Sequence, residues 1–128
     1  MSSLPNYLAY VGTAVALLAG FTALYTFVTP YREFALIRQG NKAAAISLGG
    51  TLIGFGLVLC SAAAHSVSLS GMAMWAAVAM AFQLGVFCAA TLLLRGFRTG
   101  IEAGEESYGL TLAAFSIAVG LINAGAIT

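Results

Sequence analysis

The chain has 128 residues, enough for one domain, and 61% of them are hydrophobic. Only 7% are charged, against about 25% in an average soluble domain. So few charges cannot cover a water-soluble surface, and five Lys/Arg against four Asp/Glu leave no basic footprint for phosphates. Soluble, disordered and nucleic-acid-binding classes are excluded, and an integral membrane protein in contact with a lipid bilayer remains.

A membrane-crossing helix needs about 20 mostly apolar residues to cover about 30 Å of hydrocarbon. The opening residues, Met1 to Asn6, lack the basic segment of a secretory signal. Tyr7 to Val28 is the first span, closed by Thr29-Pro30. A loop with Arg32, Glu33, Phe34, Ile37, Arg38 and Lys42 follows. From Ala43 to Leu94 there is no Asp, Glu, Lys or Arg, which suits two helices, about 43–64 and 72–94, turning at 65–71. A second charged loop holds Arg95, Phe97, Arg98, Ile101, Glu102, Glu105 and Glu106. The last span runs from about Tyr108 to the end.

All five Lys/Arg lie in these two loops, so both loops are expected in the cytoplasm and both termini outside. Tyr7, Tyr10 and Trp75 would form the outer aromatic belt, and Tyr25, Tyr31 and Tyr108 the inner one. Phe34 and Ile37, with Arg32 and Arg38, suit a segment resting on the membrane surface; Phe97 and Ile101, with Arg95 and Arg98, repeat it. These loops anchor the protein to headgroups or dock a cytoplasmic partner.

Shifting the chain by 64 residues aligns 37–62 with 101–126 and matches seven positions of 26, among them Ile37/Ile101, Gly40/Gly104 and Gly56/Gly120. The expected architecture is all-α, a single four-span membrane domain over 1–128 built as two tandem, parallel-repeat hairpins, about 7–64 and 72–128. Helices in lipid associate through small residues. Gly50-Thr51-Leu52-Ile53-Gly54 is a GxxxG extended by Gly49 and Gly56, and Ser116, Gly120 and Ala124 make a second stripe. Packing of the second span on the fourth accounts for both stripes; homo-oligomerisation through the same faces is compatible with it.

No ionisable residue lies within a span, which argues against a pump relying on an intramembrane carboxylate. The polar inventory includes Ser47, Thr51, Ser61, Gln83, Ser116 and Asn123. Gln83 and Asn123 either bond neighbouring helices or line a path. His65, the single histidine, has Ser61 and Cys60 nearby but no buried acid to orient it, so no catalytic site is expected. Met72 and Met74 read as packing residues, and no metal or cofactor site is expected. Cys60 and Cys88 sit about 18 Å apart in depth, too far for a disulfide.

The chain resembles the YjfL-like bacterial inner-membrane proteins, a family with a domain of unknown function. The matching pieces run in order: Thr29-Pro30 with Glu33, Leu36-Ile37, Asn41 with Ala43-Ala44, Gly50 to Gly54, Ser61 to Ala64, Val67-Ser68, Trp75, Gln83-Leu84, Val86-Phe87, Gly120 and Asn123-Ala124. The resemblance implies a bacterial inner membrane and a partner-dependent role beside membrane-maintenance or envelope-stress components, with no reaction attached. Two functions stand open. One is a non-enzymatic, oligomeric component that engages a cytoplasmic or membrane partner through Arg32, Glu33, Phe34, Arg38, Arg95 and Arg98. The other is a small oligomeric channel or facilitator with a polar path through Thr51, Gln83, Ser116 and Asn123.

Overall fold

The computed structural model describes residues 4–127, and within them every regular element is a helix. Four helices are long and apolar enough to cross a membrane: α1 (Leu4–Val28), α3 (Lys42–His65), α4 (Leu69–Leu93) and α6 (Glu106–Ala126). Two six-residue helices, α2 (Glu33–Arg38) and α5 (Phe97–Glu102), occupy the charged loops. The four spans fall where expected to within three residues at each end. The turn between α3 and α4 shrinks to residues 66–68, because Ser68 caps α4 by accepting from the Gly71 N–H at 3.1 Å.

Both charged loops lie at one end of the bundle and close in the same way. After α2, the Gly40 N–H reaches the Ile37 carbonyl and the Asn41 N–H the Leu36 carbonyl. After α5, Gly104 reaches Ile101 and Glu105 reaches Gly100. This helix-ending pattern needs a left-handed residue, and Gly40 (φ 87°) and Gly104 (φ 79°) supply it 64 positions apart. Asn41 then caps α3 by accepting from the Ala44 N–H at 2.9 Å, and its amide donates to the Ile101 carbonyl at 2.6 Å, tying the loops together.

Helix α3 is the centre. It runs parallel to α6 along most of its length, with backbones touching where side chains are absent. A Cβ on Gly50 would strike Ala113, one on Gly54 the Ser116 carbonyl, one on Gly109 the Ala43 backbone, and one on Gly120 the Gly54 backbone. Packing of the second span on the fourth is thus realised within one chain. Gly49 and Gly56 take no part; nothing lies within 4 Å of a Cβ added at either.

Helix α4 packs on both α3 and α6, whereas α1 leans on α3 and α4 and buries only Phe21 and Tyr25. Phe21 stacks on Phe55 at 4.3 Å between centroids, and Tyr25 meets Phe87 edge-on at 4.9 Å. Large apolar side chains such as Phe27, Val78, Leu92 and Ile122 face outward, as lipid-exposed surfaces require.

The loops depart from the expected picture of a segment lying on headgroups. Ile101 is fully buried, Ile37 packs against the same cluster, and Phe97 meets Tyr31 edge-on at 6.1 Å. Tyr25 and Tyr31, expected in an aromatic belt, are buried at 0% and 5% exposure. The cause is the fold-back at Pro30, which turns the Tyr31 to Ile37 segment inward over the end of the bundle.

Candidate functional site

Periodicity places one polar face on each central helix. Ser47, Thr51 and Gly54 recur at four- and three-residue steps on α3, and Ser116, Gly120 and Asn123 do the same on α6. The two faces meet, α4 adds Gln83, and α1 adds Tyr25 from the charged end. Of the buried polar side chains among the described residues, Ser47, Thr51, Gln83 and Ser116 join one hydrogen-bonded seam.

From the charged end, the Tyr25 hydroxyl bonds the Ser47 hydroxyl at 3.0 Å. Thr51 donates to the Ser47 carbonyl at 2.9 Å, one turn along the helix. Having spent its only hydrogen there, Thr51 accepts from the Ser116 hydroxyl at 3.3 Å. Gln83 donates from Nε2 to the Ser116 carbonyl at 2.7 Å, and Asn123 donates from Nδ2 to Gln83 Oε1 at 3.2 Å. Gly54 makes room for the amide: a Cβ there would lie 2.8 Å from Gln83 Nε2. Further out, Ser61 donates to the Ala124 carbonyl at 2.6 Å, so Ala124 contributes its backbone.

The seam ends at the charged side on Glu33. Expected among exposed loop contacts, Glu33 is instead 1% exposed, and neither carboxylate oxygen has a hydrogen-bond partner. The Tyr31 hydroxyl beside it is also buried and unpartnered. Burial pushes the Glu33 carboxyl up to about 7; the Tyr25 and Thr29 hydroxyls offset this in part without making well-formed bonds to it. Burial, and then the Glu33 charge, push the Tyr31 phenol well above its ordinary value. A cleft of about 460 Å³ opens beside this pocket, with Thr29, Arg32 and Arg38 on its walls.

The remaining loop candidates, Arg32, Phe34, Arg38, Arg95 and Arg98, are exposed, and Arg98 pairs with Glu102 at 3.7 Å. His65 takes up Ser61 alone, at 3.3 Å to its hydroxyl and 2.9 Å to its carbonyl, with no acid behind it. Among the described residues no three potential metal-ligating side chains converge, and Cys60 and Cys88 are free. The sequence points to Gln83, Asn123, Thr51 and Ser116 as intramembrane polar residues, but places Glu33 in an exposed loop and Tyr25 in an aromatic belt. Glu33 lies in a charged loop, and only the turn at Pro30 carries it inward. Tyr25 carries a signal: it sits one turn after Phe21, on the same face of α1.

Residues 1–127 match the family model described as Domain of Unknown Function (DUF350). The UPF0719 inner membrane protein YjfL of Escherichia coli K12 is 31% identical over 128 residues, covering all of this chain and 97% of its own length. The UPF0719 transmembrane protein YshE of Bacillus subtilis is 27% identical over 113 residues, covering 88% of this chain and 84% of its own. No solved structure matches the chain.

Proposed function

Since the chain belongs to the DUF350 family of multi-span membrane proteins, we propose that it is a non-catalytic facilitator that passes a small cation, a proton foremost, along the seam between α3, α4 and α6. The single observation behind this is continuity. Isolated interhelical bonds would serve packing equally well if scattered, yet here they line up from Tyr25 to Asn123, with Glu33 beyond their charged end. The charged end faces the cytoplasm in this reading, because every basic residue gathers there, and the matched closures at Gly40 and Gly104 support a duplicated hairpin.

The hydroxyls of Tyr25, Ser47, Thr51 and Ser116 each donate and accept, so they pass a proton by turning. The amides of Gln83 and Asn123 donate and accept at separate atoms and do not pass a proton by turning, so they form the gate. Opening requires Gln83 to leave the Ser116 carbonyl, a loss of about 1–2 kcal/mol for an interhelical bond in lipid. A charged thiol reagent tests whether water enters. With Cys60 and Cys88 replaced by Ala, Ser116→Cys is expected to react from the aqueous phase, and Ala118→Cys, on the lipid-facing side of α6, is not. An unreactive Ser116→Cys contradicts the reading.

A second reading, self-association with docking of a partner, is favoured by α1. Its outer face leaves Gly12 and Gly20 open, and a cleft of about 330 Å³ between α1 and α3 is lined by Tyr10, Ala14, Leu18, Gly56 and Cys60. Gly50, Gly54 and Gly120 are committed within the chain, so copies would meet through this face and not through the GxxxG.

A further inference from the structure

The pocket where Glu33 ends the seam has features a packing role does not need. Its walls come from Tyr25 on α1 and from Thr29 and Tyr31 in the link to α2. Each offers a hydroxyl. Among the described residues no Lys, Arg or His forms an ion pair with Glu33, and its two oxygens and the Tyr31 hydroxyl are left without partners at 1% and 5% exposure. An ionised carboxylate in such a place gives up its hydration and receives nothing equivalent in return. Two unpartnered groups side by side are a complementary pair once a proton is added, because a carboxylic acid donates and a phenol oxygen accepts.

We propose that Glu33 is a proton-binding site, loaded from the aqueous phase at the charged end through the cleft walled by Thr29, Arg32 and Arg38. Loading forms one O–H bond on the carboxylate at the expense of hydronium, leaving water, and turns a buried anion into a neutral acid that donates to Tyr31. Unloading returns the proton to water and leaves an anion, which Arg32 and Arg38 on the cleft rim attract outward. The other groups bearing on the pocket are the Tyr25 phenol from α1 and the Glu102 carboxylate from α5, which acts on Tyr31. Burial of the carboxyl, which lifts its titration toward neutrality, agrees with loading in the range a cell spans.

The site deepens the facilitator reading by naming the species at the cytoplasmic end, and rests on it only for the use made of the proton. Infrared difference spectra of the full chain in lipid nanodiscs, between about pH 6 and about pH 8, test it. The protonated-carboxyl band is expected at the lower pH, to disappear by the higher one, and to be absent in Glu33→Gln. Glu106→Gln, a change at an exposed carboxylate on α6, is expected to keep it. A wild-type chain with no such transition overturns the proposal, as does a transition that survives in Glu33→Gln. A transition at Glu33 without proton flux in vesicles supports the site and sinks the facilitator reading alone; flux without the transition does the reverse.

Discussion

At the scale of single residues, the molecule concentrates its unusual chemistry in Glu33 and Gln83. Glu33 has a folded-state affinity for protons above that of an exposed carboxylate, so the packed state is favoured when it is protonated. Its contribution is fully present below about pH 4.5 and is lost as pH rises through about 7. The thermal midpoint of the detergent-solubilised protein is therefore expected to fall between about pH 5 and about pH 8, by an amount reflecting on the order of a few kcal/mol. Glu33→Gln is expected to flatten that slope, and an unchanged slope would show that the carboxyl is not the source. Gln83 was visible in the sequence because a primary amide in mid-span has few innocent explanations. Glu33 was not, because its neighbours in sequence are loop residues and Tyr25, on α1, comes near it only through the turn at Pro30.

At the scale of elements, stability rests on the parallel contact of α3 with α6. There is no hydrophobic drive between helices in lipid, so backbone proximity and dispersion supply the attraction, and only glycine permits that proximity. Gly54→Leu is expected to separate the helices, with a loss of about 1–3 kcal/mol, since the nearest obstructing atom is the Ser116 backbone carbonyl, which cannot rotate aside. Gly49→Leu, with open space around it, is expected to leave the thermal midpoint within a few degrees of wild type. Equal effects of the two would refute the assignment of faces. The stripe was legible as a packing surface, but its orientation was not. Gly49, Gly50, Gly54 and Gly56 lie within two turns, and selecting the pair that meets α6 requires knowing the helix rotation. The charged loops follow similar logic. Asn41 both caps α3 and holds the α5 carbonyls, so Asn41→Ala is expected to cost about 1 kcal/mol for the cap and to speed amide exchange at Gly104 and Glu105. Exchange confined to α3 would mean the loops do not depend on each other.

At the scale of the whole molecule, composition carries most of the architecture. When lipid is the solvent, every backbone group in the span must bond within its own helix, so counting apolar runs between charges finds the helices. Which helices adjoin is a different matter. Nothing in the runs themselves distinguishes α1, which stands at the edge with most of its surface outward, from α3, which is enclosed by the other three spans. The polar faces of α3 and α6 were the available hint, since lipid-facing helices have no use for Ser47, Thr51 or Asn123. The bundle that results is closed, with Gly54 against Gly120 and Gln83 across the remaining gap.

The decisive measurement is proton flux into vesicles containing only this protein, followed with an entrapped pH-sensitive dye under an imposed potential. Wild-type chain is expected to pass protons above the rate of empty vesicles, with Leu121→Ala, a lipid-facing change, retaining that flux and Gln83→Leu reducing it to the empty-vesicle rate. Vesicles as tight with wild-type protein as without it, or flux that Gln83→Leu leaves intact, would contradict the account.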